Sequence, residues 1–520
     1  MKTNNTSINK NLNTYLGNKG YTISKSELGL EQIERIKKEL TVKPYVPGSP
    51  ANNSQVSFPV YRESASKIYM PHYYGIEKFG PPKEIRVSAG QDIALEFNGQ
   101  LRDYQAPVVE KFVQYVKSED VPRGGLLELP CAWGKTSASL NILSRLGKKT
   151  IVIVHKEFLM NQWIERIGQF LPAARIGKIQ GQIIDIDHKD IVLCMLQSLS
   201  MKEYPSEIFD SFGLTIIDEV HHISSEVFSN TLFKLVTKYM LGLSATMNRK
   251  DGTTNIFKMF LGQVICKEKR DDAPEVVVRA IDYFVDDDDF NHVSLDYRGN
   301  VQYSTMISKL CEYNRRSEFI LRVLEDLLKE NPNQQIMIIA HNRNLLKYFY
   351  ETIKHRGIAG GSCGYYVGGM KEAALKETES KKIVIATFSM CSEGLDIKTL
   401  TTLIMTTPKT DIEQTVGRIL REKHSEPIVV DIIDHHDPFQ KQWKKRKTFY
   451  MKENYKILHI KDRDYLNSTI ESRPWTTVFN PKEDKKGKKT KEKEKEISNE
   501  FTKKDDVQDL KGTCFLKIKK

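Results

Sequence analysis

The sequence predicts an α/β protein of two tandem domains, each a parallel sheet with helices on both faces. Three observations carry this. Short β-branched apolar runs of strand length recur, each followed by a polar cluster and then a helix-like stretch, the order expected of parallel strands joined by crossover helices. The runs fall into two sets, separated by a more polar stretch containing Asp286 to Asp289. A chain of 520 residues with 39% hydrophobic content is too long for one ordinary domain and sufficient for two cores plus smaller appendages.

In the first set, Leu126-Leu127-Glu128-Leu129 is a short strand, Pro130-Cys131-Ala132-Trp133-Gly134 a tight loop, and Lys135-Thr136-Ser137 the start of a helical stretch. A row of backbone N–H groups at a helix N-terminus binds phosphates, a lysine there reaches the β and γ phosphates, and a hydroxyl meets Mg²⁺. Lys135 and Thr136 take the last two roles. Leu129 stands where a first glycine would be, and Gly-Lys-Thr alone is a common tripeptide. The run Leu214-Thr-Ile-Ile then ends in Asp218 and Glu219, at the carboxyl end of a strand where open α/β sheets place their ligands. Such a pair alone commonly caps the next helix. Beside a phosphate loop it supplies one carboxylate for Mg²⁺ and one for water.

Three further runs complete the set. Thr150-Ile-Val-Ile-Val leads to His155-Lys156 and a helix-like stretch with Trp163, Asp190-Ile-Val-Leu-Cys-Met-Leu to Gln197-Ser198, and Met240-Leu-Gly-Leu to Ser244-Ala245-Thr246. In the second set, Gln335-Ile-Met-Ile-Ile-Ala leads to His341-Asn342 and Lys382-Ile-Val-Ile-Ala to Thr387. Glu393-Gly394-Leu395-Asp396, Leu403-Ile-Met and Gln414-Thr-Val-Gly-Arg418-Ile-Leu-Arg421 follow. Helical spacing puts Gln414, Arg418 and Arg421 on successive turns of one face.

Composition excludes several classes. Seven scattered cysteines without a C-x-x-C pair argue against structural zinc and a disulfide framework, and for a reducing compartment. No apolar stretch reaches the ~20 residues of a membrane helix, and the polar N-terminus lacks a signal-peptide core, so a soluble intracellular protein without membrane contact is expected. The net charge of +12 suits a polyanionic partner. Much of that excess lies near the C-terminus, where the Lys/Glu-rich run is expected to be a disordered tail from about 480. Asp286 to Asp289 reads as an exposed acidic loop at the domain junction, with metal binding as the alternative. Tyr69, Tyr73, Tyr74 and Phe79 read as packing for an accessory domain ahead of base stacking.

From about Leu101 to Asp434 the motifs in this order resemble the superfamily 2 helicases. The resemblance implies two RecA-like domains, at 96–268 and 305–455. Around them it leaves an N-terminal accessory domain (1–95), a linker (269–304) and a C-terminal extension (456–520). It also implies ATP and Mg²⁺ as cofactors. Gln105 would read adenine, while Cys131, Ala132, Trp133, Gly134, Lys135, Thr136 and Ser137 would hold phosphates together with Gly394 and Asp396. Thr136 and Asp218 would hold the metal, Glu219 would activate water, and Gln414, Arg418 and Arg421 would complete the site on domain closure, with the two arginines as finger candidates. His221, Ser244 and Thr246 would couple nucleotide state to movement. Nucleic acid would meet His155, Lys156, Gln197, Ser198, Arg249, His341, Asn342 and Thr387.

Within the superfamily, the chain is most similar to the XPB-like branch, including the transcript-release helicases of poxviruses and other large cytoplasmic DNA viruses. Leu129-Pro130-Cys131, Arg249-Lys250-Asp251-Gly252, Tyr365-Tyr366-Val-Gly-Gly-Met370 and Val60-Tyr-Arg-Glu-Ser64 carry that similarity. Lys250 departs from the acidic residue of the branch's Arg-Glu-Asp element, which removes support for a strand-separating role there. The similarity implies a monomeric DNA motor in viral transcription, with an RNA polymerase complex as partner. Its place would be the host cytoplasm or viral factory, and the virion in addition. The alternatives are an RNA helicase and a non-motor nucleic-acid-binding scaffold. A restriction-nuclease motor ranks below both, because no nuclease carboxylate–lysine cluster accompanies the motifs.

Overall fold

The computed structural model describes residues 12–43, 57–118, 123–130, 133–223, 225–245, 254–268, 275–394, 397–420 and 426–482. They form two compact units that divide between Asp272 and Ala273.

The large sheet of the first unit runs, in spatial order, Ile183–Asp185, Ile176–Gln180, Ile191–Met195, Thr150–Val154, Leu214–Ile217, Tyr239–Ser244, Arg123–Glu128, Val264–Lys267. Only Ile183–Asp185 is antiparallel to its neighbour. Thr150–Val154 and Leu214–Ile217 are buried at every position, as continuous apolar runs covered on both faces must be. Helices Ala106–Lys117, Lys135–Leu146 and Glu157–Phe170 build the core on one face. Leu196–Met201, Ser225–Leu232 and Thr254–Leu261 build it on the other, where Phe228 and Phe257 meet edge-to-face at 4.7 Å.

The accessory region carries its own sheet, in the order Arg62–Glu63, Lys67–Met70, Gly20–Ser24, Thr14–Gly17, Glu84–Ile85. Tyr21, Ile23, Ile68 and Met70 alternate onto one face, which helices Leu30–Glu39 and His72–Phe79 cover. Gly75 allows the second helix to lie flat on the sheet, since a Cβ there would stand 2.1 Å from the Tyr21 ring. Tyr73 fastens the region to the large sheet. Its hydroxyl donates to the Gly124 carbonyl at 3.1 Å and accepts from the Gly124 N–H at 2.6 Å. Tyr74 is buried with its hydroxyl on Glu39 (2.9 Å), and Phe79 stacks on Tyr21 at 6.3 Å. Three of the four aromatics therefore pack as expected, whereas Tyr69 lies on the opposite face of the sheet.

The second unit repeats the plan: Cys363–Tyr366, Ile383–Thr387, Gln335–Ala340, Leu400–Met405, Ile428–Asp434, Val277–Tyr283, Lys456–Lys461, Thr476–Phe479, with only the last strand antiparallel. Two boundaries change. The expected linker 269–304 contains Val277–Tyr283, which pairs along its length with Ile428–Asp434 on one side and Lys456–Lys461 on the other. The expected extension 456–520 likewise supplies two strands of this sheet. Local pattern could not place these strands, because the partners of Val277–Tyr283 lie more than 140 residues downstream.

The acidic run 286–289 is also corrected. Asp288–Asn291 is a helical turn whose cap, Asp287, accepts the Phe290 N–H at 3.1 Å, an N-cap rather than a loop. Below the sheet, Arg316 is fully buried and grips Asp434 through two bonds (2.6 and 2.8 Å), with a third N–H on the Thr406 carbonyl at 2.7 Å. Arg446 holds Asp431 in the same forked way at 2.7 and 2.8 Å.

Among the described residues no helix is long and apolar enough to cross a membrane. The tail from 483 onward lies outside the described residues, as do Cys131, Ala132, Thr246, Arg249, Asp396 and Arg421.

Candidate functional site

The first site residues gather at the carboxyl ends of adjacent strands in the first unit. After Arg123–Glu128 the chain turns at Gly134, whose backbone is left-handed (φ 92°), and enters the helix Lys135–Leu146. A side chain at 134 would collide with Gln105, its Cβ 2.3 Å from Nε2. Gln105 is itself buried: its Nε2 donates to the Trp133 carbonyl at 2.9 Å and its Oε1 accepts from the Arg102 N–H at 2.9 Å. Its carboxamide thus braces the loop from behind. Trp133 is buried and belongs to the core cluster of this unit. Ser137 turns its hydroxyl back to the Gly134 carbonyl (2.9 Å), and Thr136 sits in the first turn of the helix.

Facing this turn is the pair after Leu214–Ile217. Lys135 Nζ lies 3.2 Å from Glu219 Oε1. Glu219 has a left-handed backbone (φ 49°), sparsely populated for a residue with a Cβ and costing on the order of 1–3 kcal/mol. Asp218 is buried, one carboxylate oxygen accepting from the Glu219 N–H (2.9 Å) and the other from the Trp163 indole N–H (2.9 Å). Burial, and then the neighbouring Glu219 charge, push the Asp218 carboxyl above its ordinary range. A cation held there would reverse that pressure. The donors fit Mg²⁺, a hard ion held by one or two carboxylates, a hydroxyl and nucleotide phosphates. Among the described residues no group of three or more His, Cys, Asp or Glu forms a metal cage.

A polar path leads away from Glu219. His221 Nδ1 stands 3.4 Å from Glu219 Oε2 and 2.8 Å from Ser244 Oγ. Ser244 ends the strand beside the phosphate loop, and its carbonyl accepts the Leu129 N–H at 2.8 Å.

Sequence reasoning missed the Trp163–Asp218 contact. Trp163 reads as an ordinary core residue of an amphipathic helix, and nothing near it in the chain marks a partner 55 residues away. Orienting groups behind a metal ligand typically matter ~10- to 100-fold in metal affinity or activity. Trp163→Phe, which keeps most of the ring and removes the donor, should lower ATP turnover by roughly that factor and raise the Mg²⁺ concentration for half-maximal rate, both read by Mg²⁺ titration of hydrolysis.

The expected nucleic-acid contacts are local structural groups as well. Gln197 donates to the His155 carbonyl at 2.9 Å, and Ser198, nearly buried, accepts the Gly181 N–H at 2.8 Å. Lys156 precedes the helix Glu157–Phe170, and burial lowers the pKa of its ammonium. In the second unit His341 Nδ1 lies 2.8 Å from Thr407 Oγ1. Asn342 caps the helix Arg343–His355, and Thr387 ends its strand with Oγ1 3.3 Å from Ser389 Oγ. Gly394 closes the helix Phe388–Gly394. Gln414 and Arg418 do not share one α-helix. Glu413–Val416 is α-helical and Gly417–Leu420 is 3₁₀, the change falling at Gly417, a weak helix former. Arg418 Nε donates to the Cys391 carbonyl at 2.8 Å.

Two family models match: the type III restriction enzyme res subunit over residues 98–249 and the helicase conserved C-terminal domain over 320–423. The protein L396 of Acanthamoeba polyphaga mimivirus, which carries the name of an ATP-dependent RNA helicase, is 35% identical over 460 residues, 86% of this chain and 87% of its own. The chain belongs to the superfamily 2 helicases of large DNA viruses. QP509L of African swine fever virus, named in the same way, is 29% identical to this helicase over 70% of the chain and 74% of its own. The solved fragment of an HsdR-type subunit of a Vibrio vulnificus type I restriction enzyme covers 70% of each chain, with a TM-score of 0.50 at 16% identity, a likeness of fold. The helicase is accordingly an ATP-hydrolysing enzyme built from tandem RecA-like sheets.

Proposed function

We propose that the helicase is a DNA-dependent motor of viral transcription, converting ATP hydrolysis into movement along one strand. The observation that carries a motor over a passive scaffold is the unbroken side-chain path Lys135, Glu219, His221, Ser244, with successive contacts of 3.2, 3.4 and 2.8 Å. A binding subunit has no chemical use for such a path.

In this reading Lys135 and the loop amides bind the β and γ phosphates. Thr136 and Asp218 would hold Mg²⁺, which would neutralise phosphate charge and orient the nucleotide. Trp163 fixes the Asp218 carboxylate, and Glu219 orients the attacking water and takes its proton. Arg418 adds positive charge for the transferring phosphoryl group and Gln414 a neutral hydrogen-bonding amide, and His221 and Ser244 relay the state of Glu219 to the strand-end residues. His155, Lys156, Gln197, His341, Asn342 and Thr387 position nucleic acid through its backbone without reading sequence.

DNA is favoured by the sequence similarity to the XPB-like branch. RNA is a second reading, favoured by the names of L396 and QP509L. Steady-state ATP hydrolysis, alone and with single-stranded DNA, duplex DNA and single-stranded RNA, decides between them. Stimulation by DNA is the expected outcome. Stimulation by RNA alone overturns the DNA assignment, and no hydrolysis under any condition overturns the motor.

A further inference from the structure

The accessory sheet has a second face, which the covering helices leave alone. One cross-strand row on it reads Glu84, Tyr15, Thr22, Tyr69, Arg62, each residue directly opposite the next on the neighbouring strand. Tyr15 and Tyr69 are half-buried and two strand spacings apart, about 10 Å, and their bulk shields Thr22 between them.

Cations line the row. Lys19 Nζ lies 5.5 Å over the Tyr69 ring, Arg86 lies 4.0 Å over the Tyr15 ring while paired with Glu84 at 2.5 Å, and Lys67 Nζ is 3.2 Å from the Tyr15 hydroxyl. Glu63, which lines the groove beside the row, is paired with Lys25 (2.7 Å) and Lys37 (3.1 Å). The row opens into a groove of about 440 Å³ whose lining includes Lys19, Arg62, Tyr69 and Phe233 together with the carboxylates Glu63 and Glu203, with Arg62 bonded to Asn230 and 5.5 Å over the Phe233 ring. Ser200 on the opposite wall belongs to the helix Leu196–Met201, the one that also carries Gln197 and Ser198. Lys234 on that wall is already paired with Glu203 at 2.8 Å, so Lys19 and Arg62 bring most of the groove's positive charge.

Flat rings set among cations on an open sheet are how proteins hold unpaired bases: the rings stack and the cations meet phosphates. We infer that this face of the accessory sheet is a binding site for a single nucleic-acid strand. Tyr69 and the Arg86–Tyr15 stack are the base platforms, and Lys19 and Arg62 are the phosphate contacts. The inference rests on the reading above only in taking nucleic acid as the helicase's ligand. It adds a site outside both motor sheets, which keeps hold of a strand while the motor steps.

The test uses the full chain without nucleotide, measuring anisotropy of labelled oligothymidylate and oligouridylate of about 12 nucleotides and a duplex of equal length. Tyr69→Leu should weaken single-strand binding roughly tenfold, leave the duplex unchanged, and be rescued by Tyr69→Trp. Lys19→Ala should reduce the salt dependence of single-strand binding by about one unit of slope. A loss on one arm alone identifies the strand as DNA or RNA, and equal losses mark a platform indifferent to the sugar. Wild-type affinity in Tyr69→Leu, equal loss for duplex and single strand, or failure of the wild-type chain to bind either strand would overturn the site. Because binding is read without nucleotide, a chain that binds strands but hydrolyses no ATP fails the motor reading and not this one.

Discussion

Glu219→Gln is expected to reduce ATP turnover by about 10²- to 10⁴-fold while the protein still binds nucleotide. Glutamine matches glutamate in shape and backbone demand, so the left-handed turn at 219 is retained and the loss is chemical: the amide cannot take a proton and no longer attracts Lys135, 3.2 Å away in the parent. The substitution has a second signature. The Glu219 charge is one of the influences raising the Asp218 carboxyl, so removing it leaves Asp218 a better anion, and Mg²⁺ half-saturation should not rise. Trp163→Phe should raise it. The pair of variants thus separates water activation from metal holding. Turnover within about tenfold of the parent for Glu219→Gln, measured at saturating Mg²⁺ with and without DNA, would remove Glu219 from the role of base.

Arg316→Met should destabilise the second unit by about 3–5 kcal/mol, the size expected when one partner of a fully buried ion pair is deleted. Both groups are inaccessible to water, and Arg316 satisfies two carboxylate oxygens and a carbonyl at once. Methionine fills much of the volume but strands the Asp434 charge. The double variant Arg316→Met, Asp434→Leu should recover most of the loss, because replacing both members of such a pair with apolar residues is often close to neutral. Urea denaturation, read by hydrogen exchange of the amides in Gln335–Ala340, locates the effect in this unit. A double variant no better than the single one would show that packing around Arg316, rather than charge, holds the region together.

The two-sheet plan was legible because its strands are buried on both faces and so appear as unbroken apolar runs, as in Thr150–Val154 and Gln335–Ala340. The turn at Gly134 and the strand-end position of Asp218 and Glu219 were legible because each is set by its immediate neighbours in the chain. Strands such as Val277–Tyr283 and Lys456–Lys461 were not, since their pairing is with each other across more than 170 residues. The contacts of Trp163 with Asp218 and of His221 with Ser244 escaped for the same reason: each is made by register between parallel strands and the helices they launch. Gln105 was expected to read adenine, whereas its bracing of the Trp133 carbonyl depends on a loop conformation that no local pattern encodes.

The place of Val277–Tyr283 between Ile428–Asp434 and Lys456–Lys461 has a consequence during synthesis. At about 5–20 residues per second, its first partner leaves the ribosome on the order of ten seconds after it does, and its second later still. Throughout that interval a seven-residue strand with five buried positions has no sheet to join. The first unit can finish folding in the meantime, but the second cannot close until Lys461 has emerged. Nascent chains arrested between residues 284 and 427 should therefore carry a folded first unit and a protease-sensitive second one, and this strand is the natural point at which a chaperone would hold the chain.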